Sequence, residues 1–147
     1  MADRRARYDR VMAQAILIML EKELPDAMAV YAKSASGKAL ARESDKLDFA
    51  ARCCSVPAMT SMLSESQAAL AEKLRADGFD PARMRLPAEQ WYAAAEGLKT
   101  IRALSGYVSG KLNDFKQPNP ILRELKAAET LLAAAEAAGV RFHFTKT

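Results

Sequence analysis

The side chains able to do chemistry are few in this chain. Its only two cysteines, Cys53 and Cys54, stand side by side in AARCCSVPAM (50–59), and its only histidine is His143. A redox dithiol wants two residues between its cysteines, and a vicinal disulfide is strained. Tetrahedral zinc takes about four ligands; two adjacent thiols and one distant imidazole do not supply them. A thiolate nucleophile needs a base beside it, and the chain has only the one histidine. The pair therefore reads as the end of a helix. Cys54 is expected to be a small buried core residue bordered by Cys53, with no metal and no disulfide.

His143 lies in the closing run GVRFHFTKT, where Val140, Phe142 and Phe144 alternate with Arg141, His143 and Thr145. That is strand periodicity. It turns His143 away from Phe142 and Phe144 and leaves it partly exposed or bonded to a neighbour. No other segment reads as a good strand. The tail is expected to lie extended across helices or to pair with another chain's backbone.

Three further patterns fail their chemical tests. SASGKA (34–39) has a Gly-Lys pair, but it lacks the upstream glycine and the preceding strand of a phosphate-binding loop. ALAEKLRADGFDPARMR (69–85) has the cadence of a helix-turn-helix, but Gly78 comes too late and the second helix is too short. It reads as a bundle corner. The acid pairs Glu21/Glu23, Glu65/Glu72 and Glu129/Glu136 lack the Glu-x-x-His units of helical di-metal sites. No catalytic, cofactor-binding or metal-ligating residue is assigned, so an enzyme is not the expectation.

The elements that carry these residues read as helices. Asp3 is an N-cap, and the apolar spacing from Tyr8 to Leu20 predicts a helix over 3–24, apolar almost all round at Ile16–Ile18. Pro25 ends it, and a second helix covers 26–35. Ser44 or Asp45 caps a helix through Leu47 and Ala51 that stops before Pro57. Another follows over 57–77, closed by Gly78. Asp80-Pro81 opens a short turn, and the longest helix is expected over 87–115. Asn119 and Pro120 start the last one, with Ile121, Leu125, Ala128, Leu132 and Ala135 buried and Gly139 at its end. The fold class is all-α: one domain over 1–147, a compact bundle of five or six helices with a short extended C-terminal tail.

The 147 residues are half hydrophobic, rich in alanine and poor in Val, Ile and Thr, which favours helix. No stretch is long enough to span a membrane. Glu21, Lys22 and Glu23 close the apolar run 11–20 before it could act as a targeting segment. Adjacent unpaired thiols suit the reducing cytoplasm. The expected function is binding without catalysis: another protein, or a second copy as a homodimer. Gly106 and Gly110 on the long helix, with Phe142 and Phe144 on the tail, are the partner-binding candidates. The alternative is nucleic acid, because the net charge is +4 and Arg4, Arg5, Arg7, Arg10, Lys38 and Arg42 are available. Clustering of these cations on one face would favour it, and an even scatter would count against it.

Overall fold

The computed structural model describes residues 14–147. Where a helix was expected to continue to Leu24, Ile16–Leu20 forms a strand, β1. The rest of that expected helix, 3–13, lies outside the described residues. A short apolar run carries no periodicity to separate a buried strand from a buried helix. The decision comes from the far end of the chain, where Phe142–Lys146 forms β2. The two strands pair antiparallel, with Ile18 opposite Phe144 and Met19 opposite His143. The C-terminal tail thus finds its partner within the chain. Ile16, Ile18 and Leu20 point inward and Met19 outward, as a two-residue repeat requires.

Both edges of this small sheet are covered. On the β1 side the Ile16 amide donates to the Gly37 carbonyl at 3.0 Å, and the Ile18 amide to the Tyr31 hydroxyl at 3.1 Å. On the β2 side Tyr92 and Phe142 exchange two backbone hydrogen bonds of 2.8 and 2.9 Å, and the Ser64 amide donates to Phe144 at 2.9 Å. These bonds satisfy backbone groups that an open edge would offer to other chains.

Among the described residues six α-helices accompany the sheet: α1 Pro25–Ser34, α2 Lys38–Arg42, α3 Ser44–Cys53, α4 Gln67–Ala76, α5 Ala94–Gly110 and α6 Pro118–Ala138. The architecture is mostly helical, with a two-stranded sheet added to the expected bundle. Two expected helices are shorter than their patterns implied. Met59–Met62 is a 3-10 turn followed by extended chain, so the helix expected over 57–77 begins only at Gln67, capped by the Ser66 hydroxyl. The helix expected over 87–115 begins at Ala94. In both cases the missing part is the chain that bonds β2 through Ser64 and Tyr92. The longest helix is α6, which opens at Pro118 and not at Pro120, so Asn119 is not its cap. Gly139 closes it in the left-handed region, φ 68°.

The core lies between α5, α6 and the sheet. Ile101, Leu104 and Val108 meet Ile121, Leu125 and Leu132, with Phe142 and Phe144 set among them. The two rings pack edge to face at 5.2 Å, an attractive geometry for aromatic quadrupoles. Gly97 faces this aromatic pair. A β-carbon there would strike the Phe142 ring and come within 3.0 Å of Leu132. By contrast, nothing lies near the outward side of Gly106 or Gly110.

Candidate functional site

α1 and α6 pack side by side, and a trough runs between them. α1 starts with Pro25 at its first position and Asp26 in its first turn, both favourable there. Tyr31 is its one buried residue. Burial pushes the Tyr31 hydroxyl up to about 12; the Ile18 amide opposes that shift, and the nearby Glu124 carboxylate adds to it. The phenol is therefore a neutral post that fixes α1 to β1.

The other wall is held by Glu124, a buried carboxylate on α6. One of its oxygens accepts the Gly37 amide at 2.8 Å and the Ser36 hydroxyl at 3.2 Å. The other accepts the Leu40 amide at 3.1 Å. Gly37 takes φ 76°, and a side chain there would collide with the Ile16 carbonyl. The joint at 34–38 is thus a tightly held corner. It aims α2 and its cations at the trough.

The trough has two connected parts. Lys33, Lys38, Arg42 and Arg123 line a cleft of about 390 Å³, with Glu124 at its side. Next to it is an apolar hollow of about 260 Å³ lined by Ala27, Val30, Tyr31, Ala127 and Leu131, with Lys126 also on its lining. Ser34 and Arg123 belong to both. Val30 is 58% exposed, unusual for a large aliphatic side chain. Arg42 donates to the Gln117 side chain at 2.8 Å. Among the described residues none of these five cations forms an ion pair. The one carboxylate in the cleft is spent on backbone amides.

Lys38 and Arg42 share the cleft, but the nucleic-acid expectation asked for their clustering with the N-terminal arginines. Arg4, Arg5, Arg7 and Arg10 lie outside the described residues. Sequence reasoning missed Arg123, Lys126 and Val30 at this site. The signal for the corner was Glu124, an acid set between Ile121 and Leu125 within the apolar stripe of α6.

The partner-binding candidates do not meet. Gly106 and Gly110 are exposed on α5. Phe142 and Phe144 are fully buried, because the tail is the inner strand of the sheet and not an unpaired segment. The folded chain leaves those two rings no surface for a partner.

Of the two expectations for His143, exposure fails and a bonded neighbour holds: the residue is 1% exposed. Its Nε2 lies 2.6 Å from Glu89 Oε2, its Nδ1 lies 3.0 Å from the Phe144 carbonyl, and its ring packs on Trp91 at 4.6 Å. Both nitrogens face oxygen acceptors, so satisfying both takes a second proton on the ring or one on Glu89. The imidazole ties β2 to the extended segment before α5. Cys53 is exposed and Cys54 only half-buried, where full burial of Cys54 was expected. Both thiols are free, and that of Cys54 points at the Ala103 carbonyl, 3.9 Å away.

No family model, no curated protein and no solved structure matches this chain. Among the described residues no helix is long and apolar enough to cross a membrane. Nor do three metal-ligating side chains gather anywhere among them.

Proposed function

We propose that this protein acts by binding another protein, without catalysis of its own, and that the α1/α6 trough is the binding surface. One observation carries the reading: cations that form no ion pair among the described residues line a concave surface that also exposes Val30. Exposed apolar surface beside unneutralised charge suits a partner that supplies both apolar side chains and acids. The partner is a different protein. An isologous contact of two troughs would set Arg123 and its neighbours against their own copies, like charge on like charge. The adjacent free thiols fit a reducing, cytoplasmic setting.

The test compares complexes formed by the wild-type protein and by Val30→Asp and Arg123→Glu variants in the native host. Proteins retained by the wild type should be lost from both variants. Retention of the same set by both would sink the reading.

Nucleic acid is the second reading, and a specific observation favours it. Lys33, Lys38, Arg42 and Arg123 share one cleft, a concentration of cations suited to phosphates. A gel shift at two salt concentrations tests this. Retardation at low salt that fades steeply at high salt supports it, and none at low salt removes it.

A further inference from the structure

We infer that the trough takes an acidic amphipathic helix of the partner; this rests on the protein-binding reading above. The lining residues recur at helical spacing on both walls. Ala27, Val30 and Ser34 stand on one face of α1, and Arg123, Ala127, Thr130 and Leu131 on one face of α6. Two parallel rows of this kind form the groove into which a third helix sets its ridge. The floor includes the small residues Ala27 and Ala127, which let a helix come close. Val30 stands ready for leucine-sized side chains.

Charge selects the type of helix. Lys126 and Arg123 flank the hollow, and Lys33, Lys38 and Arg42 crowd the cleft at its end. With Glu124 engaged, no other acid among the described residues lines the trough. A helix with an apolar stripe and Asp or Glu on its flanks matches both features at once. Single-stranded nucleic acid matches only the charge. Its bases need exposed aromatic faces to stack on, and among the described residues the only ring in the trough, Tyr31, is 8% exposed and bonded inward to Ile18.

The walls are set before binding. Tyr31 fixes α1 to the sheet, and Glu124 fixes the corner that presents Lys38 and Arg42. A surface held in this way loses little entropy on association. The ten residues of α1 span about 15 Å, so the bound segment needs about three to four turns.

The test uses the full chain and three fluorescent probes. The first is a synthetic peptide of about 14 residues made of Glu, Leu and Ala, with leucines at i, i+3, i+4 and i+7. The second has the same composition with its leucines scattered. The third is a single-stranded oligonucleotide of equal charge. By anisotropy, the patterned peptide should bind at least about tenfold tighter than either control. Val30→Asp and Arg123→Glu should each weaken it by about tenfold or more. Met84→Asp, on an exposed side chain outside the trough, should leave it unchanged. Equal binding of the scattered peptide, tighter binding of the oligonucleotide, or indifference to both trough variants would each overturn the inference. If the patterned peptide fails while Val30→Asp still strips the native partner, the inference falls and the protein-binding reading stands. If the native partner also survives Val30→Asp and Arg123→Glu, both fall.

Discussion

The Glu124 carboxylate accepts the Gly37 backbone amide at 2.8 Å across 87 residues of chain. It joins the middle of the longest helix to the corner that carries the basic cleft. Glu124→Ala leaves the amides of Gly37 and Leu40 without their acceptor. Each buried donor so orphaned costs about 1–3 kcal/mol. Urea unfolding should show a loss of at least that size. Glu124→Gln keeps one acceptor oxygen and should lose less. A Glu124→Ala variant as stable as the wild type would contradict this account of the corner.

Gly97 and Gly106 lie on the same helix and should respond to alanine with opposite sign. At Gly106 there is open space, so Gly106→Ala should stabilise by about 0.5–1 kcal/mol through helix propensity. At Gly97 the new methyl meets the Phe142 ring. That ring is locked between sheet and helix and cannot swing aside. Overpacking there should cost about 1–3 kcal/mol and outweigh the propensity gain. Thermal unfolding of the two variants settles the signs.

Tyr31 makes stability fall at high pH. The phenol ionises near pH 10 in the unfolded chain and at about 12 in the folded one. Its folded value is raised, so its contribution is fully present below pH 10 and is lost as pH rises through 12. The amount at stake is about 3 kcal/mol. In an absorbance titration one of the four tyrosines should ionise last, together with unfolding. Tyr31→Phe should remove that late step. It should also cost about 1–2 kcal/mol at neutral pH, because the Ile18 amide loses its acceptor.

Glu89→Ala should loosen the segment before α5. It deprives the His143 Nε2 of its partner inside the fold, at a cost of about 1–3 kcal/mol. Trp91 packs on that imidazole and is the only tryptophan. Its emission should therefore shift in the folded variant. Unchanged emission together with unchanged stability would show that the pair does not hold this segment.

The helices that stand alone were the legible ones. Pro25 and Gly139 mark real boundaries, and the stripe Ile121, Leu125, Ala128, Leu132 and Ala135 is buried as its spacing predicts. The errors share one cause. Ile16–Leu20, Leu63–Ser64 and Trp91–Tyr92 all read as helix, and all are extended because β2 or its neighbours take their backbone bonds. Once β2 was given no partner within the chain, its two phenylalanines were read as candidates for binding another protein. The cations Lys33, Lys38 and Arg42 were visible as charges, but their grouping with Arg123 was not.

By itself the sequence determined what depends on near neighbours: helical bias, the prolines and glycines that punctuate it, the surplus of cations, and thiols spaced wrongly for a dithiol site. The tertiary structure alone decided which apolar run became a strand and which cations share a cleft. A strand acquires its hydrogen bonds from residues far along the chain. The field in a cleft is a sum over elements brought together only by folding. Neither quantity has a local signature for spacing or composition to reveal.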